Sequence, residues 1–240
     1  MGMTLAEFVA YFVSGILRLQ STPVVVLYLG IVALSPLWIR NVRALEFRKV
    51  LVVYNFACSL VSLYSVAFVV FGLARNWPHS LFSRKEDPLI THAIWVYYMT
   101  KYVELLDTVF MILRHRQRQI SFLHVYHHPS ILMVSEYAYT YGRWPAVSVT
   151  LGMNGIIHVF LYYYYGICAL QPGKRPAWKK QLTQLQLIQF MVGLCHLTVG
   201  YLHHGWCAYG IWYELTMVWL FSHFYYQAYI KERVSVKKIE

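Results

Sequence analysis

The stretch from Val50 to Ala74 reads VLVVYNFACSLVSLYSVAFVVFGLA and contains no charged residue. A membrane helix needs about 20 consecutive, mostly apolar residues, so this stretch is long enough to cross a bilayer. The whole chain has the same character, because 58% of its 240 residues are hydrophobic and only 13% are charged. Soluble domains carry about 25% charged residues, so this chain has too few to cover a water-soluble surface. The sequence therefore predicts an all-α integral membrane protein.

Seven stretches of the chain have the length and composition of membrane helices. Their approximate ranges are 22–39, 50–74, 89–113, 120–140, 146–170, 182–204 and 207–230. No linker rich in Pro, Gly or Ser and no internal repeat separates them. We therefore expect a single polytopic membrane domain, residues 1–240, with about seven transmembrane helices.

Basic residues alternate between the connections that join these spans. Most of the 21 Lys and Arg residues follow the first, third and fifth spans or lie in the C-terminal tail. Because cytoplasmic loops carry the excess of Lys and Arg, this pattern places the C-terminus in the cytosol and the N-terminus on the lumenal side. It also explains the net charge of +11 without a nucleic-acid partner, which would need charge massed on one face.

The C-terminal tail carries a second localisation signal. It ends in Lys237-Lys238-Ile239-Glu240. Lysines at the third and fourth positions from the end resemble the dilysine retrieval signal of endoplasmic reticulum membrane proteins. That signal faces the cytosol, which agrees with the charge pattern. We therefore expect a multi-pass protein of the endoplasmic reticulum membrane.

Four of the predicted spans carry polar side chains, which are costly in a membrane. Within each span they recur at spacings that put them on one helix face. Charged groups inside a span mark functional sites, and unsatisfied polar groups cannot face lipid. We therefore expect a polar chamber inside the bundle, although a stripe that only fixes helix packing is the structural alternative. The candidate residues are Lys101, Glu104, Asp107, His124, His127, His128, Asn154, His158, Tyr162, Thr183, Gln186 and Gln189.

Three chemistries could use such a chamber. A metal centre would need several histidine boxes, and only one HxxHH pattern occurs among the 11 histidines. Proton-coupled transport would predict inverted repeats and broken helices, and no repeat is visible. Acyl transfer needs a neutral imidazole as nucleophile or base, which HxxHH can supply. We therefore favour acyl transfer and expect no metal; a transporter or an inactive scaffold is the alternative.

The four polar motifs together resemble those of the ELO fatty acid elongases, and they occur in the family's order. KYVELLDT (101–108), HVYHH (124–128), MNGIIHVFLYYYY (153–165) and TQLQLIQ (183–189) are similar to KxxExxDT, HxxHH, MNxxxHxxMYxYY and TxxQxxQ. The resemblance implies a seven-helix membrane protein with six helices around an acyl tunnel. It also implies a very-long-chain 3-ketoacyl-CoA synthase that condenses acyl-CoA with malonyl-CoA and releases CO2 and CoA.

The resemblance further implies partners and roles. No metal or redox cofactor is expected, whereas homodimers and contacts with the reductases and dehydratase of the elongation cycle are. His127 is the best candidate to attack the acyl thioester. Lys101, His158 or Asn154 could stabilise the enolate formed from malonyl-CoA. Glu104 and Asp107 could orient the imidazoles, and the basic loops could hold the CoA phosphates.

The sequence departs from the family pattern at two positions. Pro129 follows His128, and a proline inside a helix removes the hydrogen bond to the carbonyl of Val125 and kinks the helix. We expect this to be tolerated, because neighbouring helices can satisfy the carbonyl. Leu161 replaces the usual Met and conserves volume. Separately, Gln119 with Phe122-Leu123 resembles the branch of the family that uses polyunsaturated substrates.

Overall fold

The computed structural model describes residues 14–173 and 176–231. These residues form helices and connecting turns, with no strand in the described part, so the all-α prediction is confirmed. Short 3-10 turns lie at His79–Leu81 and Gln117–Gln119, and a π-helical turn, Tyr226–Lys231, continues the last helix. The helices are α1 (Thr22–Asn41), α2 (Arg48–Arg75), α3 (Pro88–Glu104), α4 (Leu106–Leu113), α5 (Phe122–Tyr141), α6 (Pro145–Leu170), α7 (Lys179–His204) and α8 (Tyr209–Tyr225).

The helices lie close to the predicted membrane spans. Four of them, α1, α2, α6 and α7, are long and apolar enough to cross a membrane. Helix α5 is long enough but more polar, and α3 and α8 have 17 residues each. Crossing by these three, and the single-domain organisation, stay predictions. The N-terminal end, for which the sequence predicts a lumenal position, lies outside the described residues, as do the Lys237-Lys238 tail and the loop residues Lys174 and Arg175.

The structure interrupts the helix of the predicted third span, 89–113, at Leu105. The N–H of Leu105 donates to the carbonyl of Tyr102, three residues back, at 3.3 Å. Such an i→i−3 bond tightens the turn and ends the regular α-helical ladder there. Lys101 and Glu104 therefore end α3, while Asp107 begins α4.

Helix α5 continues through Pro129. Ser121 caps its first turn, where the side-chain oxygen accepts from the N–H of His124 at 3.3 Å. The ring of Pro129 is buried, and the helix runs on to Tyr141. Pro129 therefore does not end the helix that carries the three histidines.

The described residues divide into two compact units. In the first, residues 14–46 and 101–142, α1 packs against α4 and α5. The buried carboxylate of Glu136 on α5 accepts from the backbone N–H groups of Gln20 and Ser21, at 2.6 and 2.8 Å. Since the first N–H groups of a helix have no partner within the helix, Glu136 fixes the start of α1.

The second unit contains residues 47–100, 143–173 and 176–231. Helix α2 packs along α6, and α7 packs against α6 and α8. Glycines allow the close contact of α2 and α6, because a Cβ at Gly152 or Gly155 would lie 2.8 Å from a side-chain carbon of Val69 or Val66. Close helix contact through small residues is the usual packing of membrane helices.

Candidate functional site

The first unit contains an ion pair between Lys101 and Glu104. The ammonium nitrogen lies 2.8 and 2.9 Å from the two carboxylate oxygens, so it contacts both. The two residues are only 2% and 0% exposed. Two residues three apart on one helix lie close enough to pair, and here each charge offsets the cost of burying the other.

The three histidines of HVYHH form a cluster of rings on α5. The ring centroids of His124 and His128 are 4.3 Å apart, and those of His127 and His128 are 5.7 Å apart. His128 is buried, while the other two are half-buried. Nδ1 of His128 is buried and has no hydrogen-bond partner among the described residues. A buried imidazole nitrogen of this kind can act as a nucleophile or as a base.

A chain of two hydrogen bonds ties α1 to this cluster. The hydroxyl groups of Tyr28 and Thr108 are 3.0 Å apart, and Thr108 Oγ1 is 2.7 Å from Nε2 of His124. Tyr28 and Thr108 are 4% and 1% exposed. The last residue of KYVELLDT is thus joined directly to the first histidine of HVYHH.

The second unit buries the candidate residues of α6. The hydroxyl of Tyr97 donates to Oδ1 of Asn154 at 2.6 Å. The rings of His158 and Tyr162 lie one helical turn apart, with centroids separated by 5.7 Å. All three side chains on α6 are buried. This stripe is therefore held by hydrogen bonding and ring packing within the unit.

The TQLQLIQ motif occupies the first half of α7. The hydroxyl of Thr183 donates to the carbonyl of Lys179 at 3.3 Å and lies 3.4 Å from that of Tyr229. Gln189 is buried, and its Oε1 has no hydrogen-bond partner in the described part of the chain. Gln186 is only half-buried. In the structure, Lys101 contacts Glu104, the three histidines of α5 lie together, and the three candidate side chains of α6 lie along that helix. A polar chamber common to both units stays a prediction.

Four buried polar residues were missed by the sequence analysis. Tyr28 and Tyr97 contact motif residues, and Glu136 fixes the start of α1. Glu214 on α8 packs against Gly193, where a Cβ would lie 2.9 Å from Oε1. Both glutamates lie inside predicted spans. A charged residue inside a span marks a candidate functional site, so their positions in the sequence would have identified them. A phenol in an apolar span also needs a partner, and this would have pointed to Tyr28.

A basic loop follows α4. Burial lowers the pKa of Arg114 below its ordinary value, as does neighbouring Arg116, while Glu46 acts in the opposite direction. The charged form of the guanidinium is therefore less favourable here than in water, and a bound anion would offset part of that free energy. In the described residues, no three His, Cys, Asp or Glu side chains are grouped to hold a metal ion.

Comparison with known proteins gives one consistent set of relatives. Residues 19–237, which include all four motifs, match the family described as ELO: GNS1/SUR4. A protein named very long chain fatty acid elongase 5 from Homo sapiens is 35% identical over 226 residues, covering 89% of this chain and 75% of that protein. The protein of the same name from Bos taurus is 34% identical with the same coverage. That from Xenopus tropicalis is 34% identical over 225 residues, covering 88% and 76%.

Proposed function

This chain belongs to the ELO (GNS1/SUR4) family, and we propose that it is a fatty acid elongase that condenses a long-chain acyl-CoA with malonyl-CoA. The products are CO2, CoA and a 3-ketoacyl-CoA two carbons longer than the substrate. The proposal rests on the family match together with the packed imidazoles of HVYHH, where one buried nitrogen of His128 has no hydrogen-bond partner among residues 14–173 and 176–231. No metal or redox cofactor takes part in this step.

The first half-reaction is acyl transfer to an imidazole. A nitrogen of His127 attacks the thioester carbonyl, the carbon–sulfur bond breaks, and CoA leaves as its thiol with the imidazole proton. His128 lies next to His127 and is the alternative nucleophile or the base. Neighbouring imidazoles suit this step, because one can accept the proton while the other carries the acyl group.

The second half-reaction forms the carbon–carbon bond. Malonyl-CoA loses CO2, and the electron pair left behind becomes an enolate. The enolate carbon attacks the acyl-imidazole, the carbon–nitrogen bond breaks, and the released histidine takes up a proton from solvent. Lys101, Asn154 or His158 is the donor that we assign to the developing negative charge. Tyr97 supports this role, because its hydroxyl occupies Oδ1 of Asn154 and leaves the amide N–H groups as donors. Glu104 and Asp107 orient the cationic and imidazole groups.

The membrane setting and the partners complete the proposal. The protein resides in the endoplasmic reticulum membrane with its C-terminus in the cytosol, and the loop with Arg114 and Arg116 binds CoA phosphates. The lowered pKa of Arg114, which burial and neighbouring Arg116 cause, supports this, because a phosphate between the two guanidinium groups would offset their repulsion. Polyunsaturated acyl-CoAs are the substrates that we propose. We also propose homodimers and contacts with the reductases and dehydratase of the elongation cycle.

The test uses membranes from cells that express this protein and lack background elongation. Labelled malonyl-CoA is supplied with saturated, monounsaturated or polyunsaturated acyl-CoAs, without NADPH, so that the 3-ketoacyl product accumulates. We expect a labelled product two carbons longer, formed best from polyunsaturated substrates. Absence of product from every acyl-CoA, with the protein folded in the membrane, would rule out the proposed function and favour a transporter or scaffold.

His127→Ala is the variant that tests the covalent step. We expect it to abolish condensation and also the retention of a labelled acyl group by protein incubated without malonyl-CoA. His223→Ala is a matched control, because His223 lies on α8 outside the four motifs. Acyl retention that persists in His127→Ala but disappears in His128→Ala would reassign the nucleophile to His128.

A further inference from the structure

We propose that Tyr28 is a positioning residue of the condensing site that acts through Thr108 to hold His124 as the tautomer with its proton on Nδ1. The effect on catalysis rests on the proposed function, whereas the tautomer itself does not. Tyr28 lies on α1, outside all four family motifs. Each of the two hydrogen bonds from Tyr28 through Thr108 to His124 needs one donor and one acceptor, and this requirement determines where the protons lie.

The hydroxyl of Tyr28 is the donor in the first hydrogen bond. Tyr28 is 4% exposed, and among the described residues its hydroxyl has one hydrogen-bond partner, Thr108, at 3.0 Å. A buried O–H group needs an acceptor. Thr108 is the acceptor within reach, so the phenol donates its proton to Oγ1 of Thr108.

The hydroxyl of Thr108 has one proton to donate. Its hydroxyl is 1% exposed and already accepts from Tyr28, and its other partner is Nε2 of His124 at 2.7 Å. The threonine proton therefore points to Nε2, which must be an acceptor without a proton. A neutral imidazole that accepts at Nε2 carries its proton on Nδ1.

The opposite arrangement leaves one donor without an acceptor. If Nε2 of His124 carried the proton, it would donate to Thr108, and Thr108 would donate to the oxygen of Tyr28. The O–H of Tyr28 would then be buried without a partner. Such a group is disfavoured by roughly five- to a hundredfold. Tyr28 therefore determines which group donates in each of the two hydrogen bonds.

The tautomer matters because His124 is part of the catalytic cluster. Its ring lies 4.3 Å from that of buried His128, measured between centroids. With Nε2 bound to Thr108, the remaining polar atom of His124 is an N–H donor and not an acceptor. His124 can thus donate a hydrogen bond within the cluster or to the substrate, but its Nδ1 already carries a proton and cannot act as a base there.

The kinetic test compares Tyr28→Phe, Thr108→Val, Thr108→Ser and the double variant Tyr28→Phe/Thr108→Val. We expect Tyr28→Phe to lower kcat about three- to tenfold, the effect of one net hydrogen bond, with KM little changed. Thr108→Val should be at least as impaired, Thr108→Ser close to wild type, and the double variant no worse than Thr108→Val. Tyr64→Phe is the matched control, since it removes a phenol–imidazole bond of 3.0 Å, to His92, outside the motifs.

The spectroscopic test reads the tautomer directly from nitrogen-15 NMR of histidine-labelled protein in lipid, with His124→Gln used to assign the signal. We expect an unprotonated Nε2 and a protonated Nδ1 in wild type, and a new population with protonated Nε2 in Tyr28→Phe. Unchanged kcat in Tyr28→Phe, additive losses in the double variant, or a protonated Nε2 in wild type would each overturn the proposal. If wild type made no condensation product, the proposed function would fail, while this signal would still decide the tautomer.

Discussion

At the scale of single residues, variants of the buried ion pair of Lys101 and Glu104 distinguish an effect on the free energy of unfolding from an effect on catalysis. We expect Glu104→Gln to lower the free energy of unfolding by about 3–5 kcal/mol, because it removes the carboxylate charge that offsets the cost of burying the ammonium. The double variant Lys101→Met/Glu104→Leu should regain most of that loss, since a well-packed apolar pair replaces both charges. It should still be inactive, because Lys101 is a proposed donor to the enolate. Unfolding in detergent and the condensation assay measure the two effects.

Glu136 allows a second prediction about a single carboxylate. Glu136→Gln replaces one of two acceptor oxygens with an N–H2 donor that faces a backbone N–H of Gln20 or Ser21. We expect the free energy of unfolding to fall by about 1–3 kcal/mol, the cost of an unsatisfied buried group. Glu46→Gln, at an exposed position, is the control and should change little. Equal stability of the two variants would contradict a role for Glu136 in holding α1.

The distance along the chain between partners explains which contacts could be predicted. Lys101 and Glu104 are three residues apart on one helix, so their pairing follows from helix geometry. Tyr28 and Thr108 are 80 residues apart, and no local pattern relates them. The polar motif residues were therefore identifiable from the sequence, but the contact of the Tyr28 phenol with Thr108 was visible only in the fold.

At the scale of helices, Asp87 shows how a cap links stability to pH. Its carboxylate accepts from the N–H groups of Leu89 and Ile90, at 2.9 and 3.2 Å, at the start of α3. Burial by itself would raise the pKa of Asp87, but the hydrogen bonds from Asn76, Ile90 and Leu89, helped by Arg75, lower it below the ordinary value. The charged form is therefore favoured in the folded protein.

We expect Asp87→Ala to lower the free energy of unfolding by about 0.5–2 kcal/mol at pH 7. Because the folded pKa is lowered, the contribution of Asp87 is complete above its unfolded pKa of about 3.9 and is lost as the pH falls through the folded value. The difference between wild type and Asp87→Ala should therefore shrink below about pH 4. Asp87→Asn keeps a capping oxygen, so its loss at pH 7 should be smaller than that of Asp87→Ala, and this loss should also shrink in acid. A wild-type advantage over Asp87→Ala that stayed constant as the pH fell below about 4 would contradict this origin.

Helix positions were predictable because hydrophobic runs of membrane length leave few alternatives. The break at Leu105 was not, since LLDTVF contains neither Gly nor Pro to mark it. At Pro129 the helix continues, as the predicted span 120–140 requires, although proline by itself disfavours a helix interior. Local propensity is thus a weak guide where packing in a bundle decides the backbone.

At the scale of the whole molecule, the number of membrane crossings is the open structural question. Four helices qualify by length and composition, whereas seven spans follow from hydropathy read together with the alternation of Lys and Arg. The two possibilities place the connection between α4 and α5 on opposite sides of the membrane. If α3 with α4 forms a span, residues 116–119 face the cytosol; if not, they face the lumen together with residues 84–86.

Glycosylation mapping decides between these topologies, because the chain has no Asn-x-Ser/Thr site of its own. An Asn-Gly-Thr acceptor within a flexible spacer is inserted either after Lys85 or after Gln117, both at exposed positions, and the protein is expressed in microsomes. We expect a glycan on the first variant only, since the lumen contains the modifying enzyme and the basic loop near Gln117 is predicted to stay in the cytosol. The same cassettes with Gln in place of Asn are the controls, and condensation activity shows that each insertion is tolerated. Glycans on both variants would mean that α3 and α4 do not cross the membrane, and the HVYHH cluster would then lack the cytosolic approach that its CoA substrates require.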